Sequence, residues 1–75
     1  MQYSTHLFRH LRLTIGSNIH NHRVRQKMPL QKLSKLSSIP ENLIDLYELG
    51  KYEIRLEQLF RISCALKVDL TRLVE

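Results

Sequence analysis

From Leu56 onward, apolar residues return every three or four positions: Leu56, Leu59, Ile62 and Leu66, with the small Ser63 among them. That is the period of one helix face, and it predicts a helix that turns this stripe toward a core. Asp69 then suits the cap of a short further helix carrying Leu70 and Leu73. Upstream, Ile44 and Tyr47 form the inward face of a helix that Pro40 can begin, with Glu41 beside its positive dipole end. It ends near Leu49, and Gly50 offers the left-handed residue that closes many helices. Pro29 fits the first turn of an earlier helix that runs to about Ser37 and buries Leu30 and Leu33. Ser34, four residues after Leu30, keeps that face small enough for a second helix to cross closely.

The amino-terminal part is less decided by pattern. Ile15 and Ile19, one turn apart, predict a helix from Ile15 to about Lys27, capped by Thr14 and stopped at Met28-Pro29. Before it, Leu7, Phe8, Leu11 and Ile15 fit a helix, whereas Leu7, Leu11, Leu13 and Ile15 fit a strand, and periodicity does not choose. The expected organisation is therefore an extension over residues 1–14 and one all-α domain over 15–75. With 75 residues the chain can build one small core and no second. Only two glycines and two prolines occur, and no long apolar run suggests a membrane span. Arg9, His10 and Arg12 interrupt the opening apolar residues, so no secretion signal is expected and the cytoplasm is the default compartment. A lone Cys64 has no intramolecular disulfide partner and reads as a small apolar helix residue.

Charge placement adds a candidate partner. The net charge is +5, and Arg9, Arg12, Arg23, Arg25 and Lys27 fall in the first 27 residues without an acid among them. The remaining seven basic residues are matched by seven acids. A basic amino-terminal third favours contact with phosphate or another polyanion through counterion release and steering.

Several spacings together resemble one family. Ile15-Gly16, Ile19 and Arg23 precede the helix pair between Leu30 and Lys51, that pair ends in Glu48-Leu49-Gly50, and Leu56, Leu59, Ile62, Ala65-Leu66, Val68, Leu70 and Leu73 follow. Over residues 15–75 this resembles the lambda-repressor/Cro-type (XRE family) helix-turn-helix domain. The resemblance implies a compact five-helix fold and a dimer that reads double-stranded DNA. It also implies that Arg23 pairs with Glu48, an arginine fork holding a carboxylate and tying the first helix to the third.

In that family the third helix enters the major groove, which assigns Glu41, Asn42, Asp45 and Leu46 to the bases. Asn42 suits adenine, and Glu41 or Asp45 can accept from the cytosine amino group. No cation stands among these four, so phosphate attraction falls to Lys32 and Lys35 on the second helix and to Lys51, Tyr52 and Arg55 after the third. The chain departs from the family at several positions. Pro29-Leu30 replaces a Ser/Thr-Gln pair that meets phosphate, Ser38 replaces the turn glycine, and Ser34 replaces a small alanine. Ile54 stands where a proline is usual, and Lys67 stands where a glycine ends the fourth helix.

Leu36, Leu43, Leu46, Leu49 and Phe60 are apolar where the family tends to be polar. For Leu43 and Phe60 the expectation is a thicker core; Leu46 and Leu49 suit a core or a partner surface equally. His6 and His10 are four apart, but without paired cysteines or neighbouring carboxylates no metal site is expected, and no cofactor. No nucleophile sits beside an oriented base, and the expected activity is not enzymatic. Two functions remain in view. One is a transcriptional repressor bound as a homodimer to a two-fold operator, its dimer contact in the last helix (Leu70, Leu73, Val74) or in residues 1–14. The other is a protein-interaction module such as the antitoxins that resemble this domain, which hold a toxin as well as their operator.

Overall fold

The computed structural model describes residues 5–75, with the side chain of Thr5 left aside. Five helices follow one another: α1 Thr5–Arg25, α2 Leu30–Ser37, α3 Glu41–Glu48, α4 Leu56–Leu66 and α5 Thr71–Val74. The last four lie close to where pattern and punctuation put them.

α1 differs. It is one continuous helix of 21 residues that passes through the expected boundary at Ile15, so Thr14 is an interior residue and not a cap. Residues 5–14 are thus helical, and the strand alternative is excluded for them; residues 1–4 lie outside the described part of the chain. Helix propagation adds one hydrogen bond for each residue fixed, so a well-packed helix can extend beyond its own packing.

The core gathers one or more side chains from every element. Ile15 and Ile19 of α1 meet Leu33, Ile39, Ile44, Tyr47, Leu59, Ile62, Leu66 and Leu73. Leu30, Leu43, Ala65, Val68 and Leu70 pack on its edge half-buried. Leu43 therefore thickens the core as expected. Phe60 does not: it is 58% exposed, on the outer flank of α4. Leu56, four residues earlier on the same flank, is also exposed, although its spacing put it with the inward stripe. Leu73, a candidate dimer contact, is wholly buried in its own chain, and Asn18 Nδ2 donates to its carbonyl at 2.9 Å.

The first four helices all close by the same device. A left-handed residue stands just past each end, at Lys27, Ser38, Gly50 and Lys67, with φ between 54° and 69°. The next amide then bonds back to a carbonyl inside the helix: Met28 to Arg23, Ile39 to Ser34, Lys51 to Leu46 and Val68 to Ser63. These bonds satisfy carbonyls the helix end would leave bare. Ser38 therefore does adopt the conformation for which glycine is favoured. At α5, Asp69 Oδ1 accepts from the Thr71 amide and hydroxyl, the capping role foreseen for it. Among the described residues no helix is long and apolar enough to cross a membrane.

Candidate nucleic-acid interface

α2 and α3 form a corner whose inner side is apolar and small. Ile39, buried in the turn, receives a bond at its carbonyl from Ser34 Oγ at 2.6 Å, so the serine on the crossing face is also part of the turn. Ser37 Oγ donates to Leu33 O at 2.7 Å and is buried beside it. Ile44 and Tyr47 then anchor α3 inward. With those two turned to the core, helical geometry leaves the opposite face outward.

That outward face carries Glu41, Asn42 and Asp45, all exposed, and with Leu30 of α2 they line one open depression. Leu46 is half-buried at the margin of this face. Leu49 lies four residues after Asp45 and seven after Asn42, so it continues their row, and it is half exposed. Its spacing was visible in the sequence; only its exposure could assign it to this surface.

Lys32 and Lys35 are exposed on α2, and Lys51, Tyr52 and Arg55 are exposed in and after the turn that ends α3. Arg55 also touches the interior electrostatically. Burial pushes the Tyr47 phenol above its ordinary value, and the positive charge of Arg55 partly opposes this. The Tyr47 hydroxyl donates to Gln58 Oε1, joining α3 to α4, a link the sequence did not announce.

A charged fastening holds α3 at its far end. Arg23 Nε donates to Glu48 Oε2 at 2.6 Å and Arg23 Nη2 to Glu48 Oε1 at 3.0 Å, a two-point contact between α1 and α3. The third guanidinium nitrogen, Nη1, donates to Met28 O at 2.8 Å, in the turn leading into α2. His20 Nδ1 lies 2.9 Å from Glu48 Oε1. The Glu48 side chain is only 5% exposed and that of Arg23 13%, so the pair sits largely out of water. The hydrogen bond to Glu48 holds the guanidinium above its ordinary value, with burial opposing and the charges of Glu48 and Asp45 adding to it. The roles of Met28 and His20 were not legible, because nothing in a sequence says which carbonyl a third nitrogen will find.

Close approach is also built into the backbone. A Cβ on Gly16 would stand 2.2 Å from Tyr47 O and 2.9 Å from Glu48 O, so only glycine lets α1 run against the end of α3. Gly50, with φ 69°, faces Leu13 of α1, whose side-chain Cδ2 a Cβ would meet at 2.6 Å.

His6 and His10 are both exposed, and no three His, Cys, Asp or Glu side chains among the described residues are placed to share a metal ion.

A family model described as Helix-turn-helix matches residues 19–73. Among solved structures, the restriction-modification controller protein C.AhdI from Aeromonas hydrophila is similar at 18% identity and a TM-score of 0.80, covering 83% of this chain and 94% of that one. The clp gene regulator ClgR from C. glutamicum is similar at 22% identity and a TM-score of 0.81, covering 84% of this chain and 82% of the other. No curated protein matches.

Proposed function

The chain belongs to the lambda-repressor/Cro-type (XRE) helix-turn-helix family of DNA-binding transcriptional regulators, and we propose that it is a repressor that reads a two-fold operator as a homodimer. In this reading α3 enters the major groove. Asn42 bonds an adenine edge, Glu41 and Asp45 accept from cytosine amino groups, and Leu46 meets apolar base surface. Lys32, Lys35, Lys51, Tyr52 and Arg55 hold the phosphates on either side and carry no sequence information themselves.

One observation carries the reading despite an acidic recognition helix. Of the three acids on α3, Glu48 is matched by Arg23 inside the protein, so it presents no bare charge to phosphate. Glu41 and Asp45 remain, on a face flanked by the cations of α2 and of the turn after α3. Two protomers follow from the size of the reading head: one short helix reads few base pairs, whereas two set about 34 to 36 Å apart read successive faces of the groove. Leu73 is interior, so of the α5 candidates Val74 remains exposed and Leu70 half-buried; exposed apolar side chains also stand on the amino-terminal half of α1 and the outer flank of α4.

A duplex selected from a random pool, followed by salt titration, tests this. Asn42→Ala should reduce discrimination between selected and scrambled duplexes by about 1–3 kcal/mol, with nonspecific affinity nearly intact. Lys51→Ala should weaken both duplexes alike. If the selected site binds both variants as it binds the parent, the groove-facing surface lies elsewhere.

A further inference from the structure

Three lysines from three different elements meet at one groove that the reading face does not use. Lys27 closes α1, Lys32 stands on the flank of α2, and Lys67 closes α4; together with Gln26, Leu36 and Ala65 they line a cavity of about 330 Å³. The arrangement is fixed from below. Gln26 Nε2 donates to Leu66 O at 2.7 Å, which ties the ends of α1 and α4 together and sets the next residue of each, Lys27 and Lys67, beside the other. None of the described residues lining the groove is acidic. All three lysines are exposed, so their ammonium groups are available to a ligand.

Position along α2 relates this groove to the bases. Lys32 and Leu36, one turn apart, face the groove, while Leu30 faces the depression that contains Glu41, Asn42 and Asp45. The two surfaces therefore flank α2 on different sides. Resting on the DNA-binding reading above, we infer that the groove of Lys27, Lys32 and Lys67 holds the sugar-phosphate backbone next to the base pairs that α3 reads.

Charge and shape favour this occupant over an acidic polypeptide. The apolar lining is Met28, Leu36 and Ala65, with no aromatic side chain of the kind that anchors a protein partner, whereas exposed ammonium groups suit phosphates. The wider setting agrees: the first 40 residues hold seven Lys and Arg and no acid, the first acid being Glu41. Lys27 and Lys67 also occupy left-handed positions where glycine is the relaxed choice, with φ 54° and 57°. Each can therefore be replaced without forcing the backbone.

The test compares the parent with Lys27→Gly/Lys67→Gly on one selected duplex that extends well beyond the read base pairs. Helical content and melting temperature verify that both proteins are folded. Lys27→Asn/Lys67→Asn, neutral and tolerant of the same backbone, is measured beside it. The slope of log affinity against log salt should become shallower by about 0.9 for each phosphate no longer neutralised, close to two units per bound protomer, with base preference unchanged. Trimming the duplex to the read base pairs should remove the difference between parent and variants. Equal slopes for parent and both variants on the long duplex would overturn the groove assignment and leave the α3 reading in place. A parent that binds no duplex in a salt-dependent way would remove both.

Discussion

The two halves of α1 share one helix and live in different surroundings. From Ile15 to Arg25 the helix is embedded: Ile15 and Ile19 are core residues, Gly16 lies against the end of α3, Asn18 holds α5, and Arg23 grips Glu48. From His6 to Leu13 it is mostly exposed, with Leu7, Leu11 and Leu13 all in contact with solvent. The difference teaches that tertiary contacts made by one half suffice to specify a helix whose other half contributes little to the core.

Breaking the embedded half should have the largest effect. Glu48→Ala leaves the Arg23 guanidinium without its carboxylate in a largely dry site and should cost about 3–5 kcal/mol, read as a lower denaturant midpoint. Replacing both partners with apolar residues of similar size should recover much of that stability, because the burial penalty of the charge goes with the charge. An unchanged midpoint in Glu48→Ala would mean that the contact does not fasten α1 to α3.

Gly16→Ala comes next. Its Cβ meets backbone oxygens and not flexible side chains, so α1 and α3 must separate. Overpacking of this kind costs about 1–3 kcal/mol, and here the upper end is expected. Amide exchange should rise along α3 more than along α4. If Gly16→Ala melts with the parent, the two helices are not held as closely as the geometry requires.

Leu11→Ala sharpens the contrast from the other side. Leu11 lies in a notch with Phe8, Ile15 and Ile54, lined also by Arg12 and Glu53, and remains 42% exposed. Its truncation should cost about 1 kcal/mol or less, with exchange rates in the embedded half unaltered. A destabilisation as large as that of Glu48→Ala would place the amino-terminal half inside the cooperative core.

Legibility followed the same division. Pro29, Pro40 and Gly50 punctuate the chain where α2 and α3 begin and end, and the three-and-four spacing of Leu59, Ile62 and Leu66 reports a buried face. The start of α1 was hidden because residues that pack against little need not alternate, and Thr14 offered a cap that an interior helical position does not use. Phe60 misled for a related reason: its size suggests burial, but only the direction of the α4 inward face decides it, and that face is filled by Leu59, Ile62, Ser63 and Leu66. The left-handed ends at Ser38 and Lys67 lacked their usual glycine, and the chain accepts the backbone strain there, of order 1–2 kcal/mol for a non-glycine residue. At the candidate interface, Glu41, Asn42, Asp45 and Leu46 were named through the family resemblance; the first three are exposed and Leu46 is half-buried. The third nitrogen of Arg23, the Tyr47–Gln58 contact and the lysines beside Gln26 depend on distances that no spacing encodes.

One guanidinium touches both the tip of α3 and the carbonyl that precedes α2. An eight-residue helix is about 12 Å long, so a rotation of about 10° at its root would sweep the opposite tip through about 2 Å, enough to undo a hydrogen bond to a base edge. In the proposed reading Arg23 thus sets the angular tolerance of the whole probe, and a lesion there would blur sequence discrimination even in molecules that remain folded.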